Sequence, residues 1–384
     1  MRLSVTTVDS LEAVPQGAWN ALQDAGRSPF LEHAFLHGLE RCDCVGARHG
    51  WQPRHLLVHD AGGRLVGAAP FYVKTHSYGE LVFDWAWADA YARHGLDYYP
   101  KAVGTIPYTP VSGTRFLVHP RAERGAVRKA LAEAAVALAR QEGWSGVHFL
   151  FLRPDEARFL REAGWFLRQD LQYHWDNPGY RDWEDFLAVL KAKRRKEIRR
   201  ERRRVEAQGL ALRVVHGDEA GAMELDRVHA LYAGLFERKF GYPTLSRAFF
   251  HHLATALGRR LVLFLAEQDR GIVAMALCLR DERVLYGRLW GVEGRHDCLH
   301  FELCYHQGIA YCIRHGLARF EPGAQGEHKI ARGFLPATTW SAHWIADPRF
   351  AQALARWSAQ EQAAVREHWH ALMRSSPYRE ATAP

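Results

Sequence analysis

Apolar and polar residues alternate over 56–60 (LLVHD) and 64–73 (RLVGAAPFYV) on either side of Gly62 and Gly63, a pattern that predicts a β-hairpin. The pattern returns at 261–267 (LVLFLAE) and 271–279 (GIVAMALCL). Leu65–Ala69 (LVGAA) matches Ile272–Ala276 (IVAMA) at an offset of 207 residues, and Arg140–Phe149 (RQEGWSGVHF) matches Ile313–Pro322 (IRHGLARFEP) at an offset of 173. The second match reads as a helix stopped by glycine and followed by a strand, with Gly143 over Gly316. The same elements in the same order twice predict a duplicated α/β unit.

The two offsets differ by 34 residues, so the first unit holds extra chain between its hairpin and its helix. That chain is 76–113, with eight aromatics, four acids and three prolines, Asp84 and Trp85 among them. A connection this long is commonly functional or disordered, and its aromatic content argues for an ordered insertion that shapes a binding surface. An aromatic lid without a ligand is the alternative. Between the units, Trp183–Gln208 is predicted as one long helix ended by Gly209, with Asp182 as N-cap. The apolar positions Phe350, Leu354, Trp357, Val365, Trp369 and Leu372 predict a C-terminal amphipathic helix packed on the second unit. The expected domains are 1–178 with the insertion, a linking helix over 179–209, a second domain over 210–347, and the helix and tail over 348–384.

A chain of 384 residues has room for about two domains, and 48% apolar with 24% charged residues is a globular composition. The formal charge of +8 is concentrated. Ten Lys/Arg and two Asp/Glu lie between Lys191 and Arg204, and the other 370 residues are neutral overall. No apolar run reaches the ~18 residues of a spanning helix and the N-terminus lacks a signal layout, so the expected location is the cytoplasm. The six cysteines, with no CxxC pair to complete a set of four ligands, are expected to be thiols rather than metal ligands or disulfides.

Lys191, Arg195, Arg199 and Arg202 follow one helical line at i, i+4, i+8 and i+11. Like charges at this spacing repel, which points to an anionic partner: a pyrophosphate, an RNA backbone or an acidic membrane. A solvated helix whose arginines pair with nearby acids is the bland alternative. A second constellation follows the strand at 318–321. Glu321 closes it, Pro322 and Gly323 stop it, and Gln325, Glu327, His328, Lys329 and Arg332 follow. A strand end that feeds a glycine loop is where α/β units place working groups. Glu321 or His328 is a candidate base, and Lys329 or Arg332 a candidate anion holder. The alternative is that Glu327, Lys329 and Arg332 form the exposed side of a helical turn. Arg288, Trp290 and Glu302 lie upstream, where they could line the same cleft. GxSxG, Walker and HExxH motifs are absent, and no recognition helix for sequence-specific DNA binding stands out.

The duplicated unit, the insertion (HSYGELVFDWAWADAY, YYPK, PYTPVSG) and the tract LWGVEGRHDCLHFELCYHQGIAYCIRHGLARFEPGAQGEHKIARGFLPATTWSAHW resemble the bacterial FemAB-like proteins from about Ser28 to about Trp344. That resemblance implies two tandem GNAT-like domains, each a twisted mixed sheet flanked by helices, joined by the basic helix. It also implies N-acyl transfer by direct attack of an amine on an activated acyl donor. The alternatives are Fem-type ligation from aminoacyl-tRNA onto a peptidoglycan precursor, or recognition of an anionic ligand without catalysis. The implied donor is acyl-CoA or aminoacyl-tRNA, with no metal. The implied partners are a phosphate-bearing small molecule or tRNA, with peripheral contact to a membrane-bound precursor.

By the same resemblance, Arg195, Arg199 and Arg200 contact pyrophosphate or RNA. RHDCLH at 295–300 stands where acetyl-CoA-dependent relatives carry a glycine loop, so the Cys298 and His300 side chains obstruct close approach of a phosphate. IARGF at 330–334 stands where Fem ligases carry F-K-x-G-F, with Ala331 at the lysine position and Lys329 or Arg332 as substitutes.

Overall fold

The computed structural model describes residues 3–23, 28–237, 241–269, 271–324 and 326–379. The chain forms two compact units, Met1–Asp170 with Thr338–Glu367, and Leu171–Ala337 with His368–Pro384. These boundaries differ from the expected ones in two places: 338–367 returns to the first unit, and 179–209, expected as a link between domains, falls within the second.

The first unit contains β1 (Ser4–Val8), β2 (Trp51–Pro53), β3 (His55–His59), β4 (Leu65–Ala69), β5 (Phe71–Lys74), β6 (Lys101–Gly104), β7 (Leu117–Val118) and β8 (Gly146–Leu152). Asp60 Oδ1 accepts from the N–H groups of Gly62 and Arg64, and Gly63 takes φ 76°, which turns β3 into β4 as expected. The predicted strand over 64–73 is two strands. Pro70 has no N–H to give a ladder, and the chain leaves one sheet there and enters another. The first sheet is ordered β1-β3-β4-β7 and the second begins β2-β5-β6-β8. Helix Arg124–Glu142 packs Val127, Leu131 and Ala135 into a core with Phe71, Ala102, Val147 and Phe149.

β9 (Phe166–Asp176) carries the chain into the second unit, whose further strands are β10 (Ala211–His216), β11 (Leu261–Gln268), β12 (Gly271–Arg280), β13 (Val284–Val292) and β14 (Arg319–Glu321). Their order is β10-β11-β12-β13-β14-β9, antiparallel except for the parallel pair β13-β14. β15 (Leu335–Ile345) returns the chain to the first unit, where its later residues pair with β8. The two helix-to-strand passages that match in sequence also match in structure. Gly143 at φ 70° ends Arg124–Glu142 ahead of β8, and Gly316 at φ 65° ends Gln307–His315 ahead of β14. Only glycine takes this left-handed cap without strain from a Cβ.

The predicted continuous helix over 183–208 is broken. Helix Trp183–Val189 begins on Asp182, whose side chain accepts from Asp185 N–H, and helix Ala192–Glu206 follows. Leu190 (ψ 154°) and Lys191 (ψ 143°) between them are extended. The C-terminal tail causes the break: Leu190 bridges Tyr378, and Lys191 N–H donates to Pro377 O at 2.8 Å. The C-terminal helix Pro348–Arg374 also departs from expectation. Phe350 and Leu354 pack with Trp87, Tyr91 and Tyr98 of the first unit, and only its last turns serve the second, where Leu372 is buried. No described helix is long and apolar enough to cross a membrane.

Candidate functional site

β13 and β14 pair over only three steps, Val284 with Arg319, Leu285 with Phe320 and Tyr286 with Glu321. The strands then part. Pro322 has no N–H to continue the ladder, and a Cβ on Gly287 would stand 3.1 Å from Pro322 Cα. On the other edge of β13, Leu277 faces Leu289 and Cys278 faces Gly287, so Arg288 is the extra residue of a bulge. A cavity of about 240 Å³ opens at this splay, lined by Gly287, Arg288 and Trp290 from β13, Cys278 from β12, His300, Cys304 and Tyr305 from the next helix, and Pro322, Ala324, His328 and Lys329.

Lys329 is 2% exposed, and its Nζ donates to Gly323 O at 2.8 Å and Ala324 O at 2.9 Å. Burial brings its pKa down to about 8, so at neutral pH it remains mostly an ammonium. An ammonium has three donors, and those two carbonyls take two of them. Among the described residues, no carboxylate lines the cavity. Burial also lowers the pKa of Arg288 to about 10, which leaves it charged. Both cavity histidines are held neutral. Burial, then the charges of Arg332 and Lys329, lowers His328, and burial takes His300 to about 4. His328 Nε2 and the Tyr305 hydroxyl are hydrogen-bonded at 2.8 Å. The site thus offers two cations, two neutral imidazoles and a hydroxyl around one small volume.

Four candidates from the sequence meet in this cavity: Arg288, Trp290, His328 and Lys329. Glu321 is elsewhere. Its neighbour Phe320 packs against Gly308 of the helix that lines the cavity, so strand alternation turns Glu321 to the other face. There it lies 3.9 Å from His174, and burial pushes its pKa up to about 8, so it is protonated at neutral pH and unfit as a base. Glu302 is buried toward the basic helix, accepting from Gln307 with Arg202 at 3.4 Å. Arg332 grips Glu201 with Nε and Nη2 and gives Nη1 to His328 O, so it holds a protein carboxylate and braces the His328 backbone. Glu327 is exposed beside His368 at 3.3 Å. Gln325 lies outside the described residues.

Of the basic-helix candidates, Arg195 donates to Leu190 O and Arg199 pairs with Glu184, whereas Arg200 is exposed. Asp84 and Trp85 belong to the first unit. Asp84 is buried, accepting from Tyr98 and Lys101, and Trp85 is partly exposed with its ring 4.9 Å from that of Tyr78. Tyr305 was missed from the sequence. Its sequence surroundings read as ordinary helix, whereas it lies in a π-helical turn, Glu302–His306, and only tertiary packing sets its hydroxyl on His328. Among the described residues, no group of three or more His, Cys, Asp or Glu side chains is placed to hold a metal ion.

Residues 10–380 match the FemAB-like family, described as peptidoglycan biosynthesis/recognition. No match is found among curated proteins. Among solved structures, FemX is similar over 92% of this chain and 100% of its own, at 11% identity and a TM-score of 0.56. L-PGS from Bacillus licheniformis is similar over 87% and 98% at 11% identity and a TM-score of 0.51. A conserved protein of unknown function from Bacteroides thetaiotaomicron is similar over 88% and 99%, at 13% identity and a TM-score of 0.53. The likeness to all three is one of fold.

Proposed function

The chain belongs to the FemAB-like family, and from that premise we propose that it is a transferase whose second unit moves an acyl or aminoacyl group onto an amine. The observation that carries this reading is Lys329, a buried ammonium answered only by backbone carbonyls in a cavity free of carboxylates. A buried charge needs a partner, and the negative charge that develops on a carbonyl oxygen under attack is one.

In the proposed step the amine nitrogen attacks the donor carbonyl carbon. The C–N bond forms as the carbonyl electron pair moves to oxygen, next to Lys329. The amine proton passes to the Tyr305 oxygen while the Tyr305 proton passes to His328 Nε2, neutral and in reach at 2.8 Å. Collapse then breaks the bond to the leaving group, which takes the proton back from the imidazolium. Thioester and ester donors both fit this sequence, so acyl-CoA and aminoacyl-tRNA remain the two donor classes. At the phosphate-loop position, Cys298 holds the left-handed conformation of a glycine (φ 62°) while still carrying a side chain, which favours the aminoacyl ester. The family's description makes a peptidoglycan-precursor amine the acceptor to try first.

The test is mass-spectrometric detection of product from mixed aminoacyl-tRNA or an acyl-CoA panel with a soluble muropeptide precursor. Wild-type protein should transfer, Lys329→Ala should lose at least about 100-fold, and Glu321→Gln should stay within a few-fold of wild type. Full activity in Lys329→Ala would sink the assignment, and tight precursor binding without product would make the protein a recognition module.

A further inference from the structure

Tertiary contacts sort the ten cations between Lys191 and Arg204 into two sets. Six are engaged. Lys191 donates to Ser376 O, Arg194 pairs with Glu197, Arg195 donates to Leu190 O, and Arg199 pairs with Glu184. Arg202 lies over the Trp183 ring at 4.8 Å with Glu302 at 3.4 Å, and Arg204 pairs with Asp297. The other four, Lys193, Lys196, Arg200 and Arg203, are exposed and make no ion pair or hydrogen bond with any described residue. Their spacing is i, i+3, i+7 and i+10, so they form a single row about 15 Å long on one face of helix Ala192–Glu206.

On the inward side, Ile198 and Val205 are buried in the core of the second unit. The helix is therefore fixed in rotation, with its apolar side spent, and presents the four cations outward as a rigid row. Unrelieved like charges at these spacings destabilise a helix. A row that keeps them while four neighbours pair with acids and two are tied to backbone carbonyls is built to meet an anionic surface.

We propose that Lys193, Lys196, Arg200 and Arg203 dock the protein on an anionic lipid bilayer. The exposed residues of this helix are only Ala, Lys, Arg and Glu. None of these is an aromatic platform on which bases stack, as single-stranded nucleic acid binders use, and the major groove of A-form RNA is too deep and narrow for side chains to read. A straight, convex row of cations meets a plane of headgroups at every position. With no apolar side chain to insert, the association is electrostatic, reversible and salt-sensitive. The inference rests on the helix alone and stands or falls independently of the transfer reaction.

Each basic residue near an anionic surface contributes roughly a fivefold gain in partition. The test is co-sedimentation of the full chain with phosphatidylglycerol-containing vesicles, with phosphatidylcholine vesicles as the neutral probe. Wild type should bind the anionic vesicles at low salt, ignore the neutral ones and release as salt is raised. Replacing all four residues by Gln should weaken binding by roughly two orders of magnitude or more. Neutralising four other exposed arginines, Arg121, Arg158, Arg161 and Arg366, gives the same net charge and should change binding by less than about threefold if the row rather than the net charge makes the contact. If the fourfold variant misfolds, Lys196→Gln with Arg200→Gln should still lose roughly 25-fold. Equal binding to both vesicle types, equal loss in the control variant, or tRNA that strips the protein from vesicles at sub-stoichiometric lipid phosphate would each overturn the proposal, the last in favour of RNA.

Discussion

Each unit contains a parallel strand pair that parts, and the two gaps are filled differently. In the first unit β6 and β8 pair from Ala102 with Val147 to Gly104 with Phe149. The chain then returns to the same edge, where Gly113 bridges Leu152 and its N–H donates to Phe151 O at 3.0 Å. Behind it the fully buried Arg115 donates to the carbonyls of Leu150, Val111 and Thr114, and Glu156 accepts from the Arg115 and Phe116 N–H groups. In the second unit β13 and β14 part at Gly287 and Pro322 onto a cavity. The same splay is thus a plug of protein in one copy and an open cavity in the other. Two of the buried lysines, Lys101 and Lys329, differ in parallel. Lys101 donates to Ser77, Glu80 and Asp84, all from the insertion, and these partners raise its pKa against the opposing effect of burial. Lys329 has no acid, and its pKa falls to about 8. A lysine paired inside the protein holds the fold, and one left unpaired is available to a ligand.

The strongest way to break that contrast is Lys101→Ala. It strands two buried carboxylates and should cost about 3 to 5 kcal/mol in chemical denaturation; a cost under about 1 kcal/mol would remove the structural role given to this lysine. Lys329→Ala is the mirror experiment. Turnover should fall by about 10² to 10³, or about 3 to 4 kcal/mol in the barrier, while stability holds or rises because an unpaired buried charge is removed. Next in size, Arg115→Ala leaves buried carbonyls unmet and should destabilise the protein by about 2 to 4 kcal/mol. It should create no second activity once Lys329 is also replaced.

The pH profile sharpens the second unit's side of the comparison. The rate should rise as His328 loses its proton, on a limb below the ordinary histidine value of 6.5 because burial lowers this pKa. It should fall as Lys329 loses its proton near pH 8, and Lys329→Arg should move that upper limb to higher pH if the variant turns over at all. A profile flat from pH 7 to 10 would exclude Lys329 as the working cation. The smallest effect is expected at Arg199→Gln, whose partner Glu184 is as exposed as itself, with about 0 to 1 kcal/mol at stake.

Much of the fold was legible because local physics sets it. Gly143 and Gly316 end helices wherever they occur in such a run, and the Gly62–Gly63 turn needs only Asp60 beside it. The basic helix was read as unbroken because nothing in residues 183–208 announces Pro377 and Tyr378 as partners for Lys191 and Leu190. The site was legible by region. The loop after β14 was picked out as a candidate, and His328 and Lys329 from it line the cavity. Glu321 was a poor choice of base because a one-residue step along a strand changes face, and Tyr305 was invisible because its role depends on which imidazole its hydroxyl meets.

By itself, then, the sequence determined the duplicated α/β plan, the insertion in the first copy, the concentration of charge in one short run and the loop that lines the cavity. These follow from periodicity, glycine stereochemistry and charge counting, which act over a few residues. Tertiary structure alone decided which copy keeps an open splay, which buried lysine lines that cavity, and which four of ten cations make no ion pair or hydrogen bond with a described residue. Each of those depends on groups distant in the chain, Arg115 against Leu150, Glu201 against Arg332 and Glu302 beside Arg202. Whether a charge is free or spent is a property of its neighbours in space.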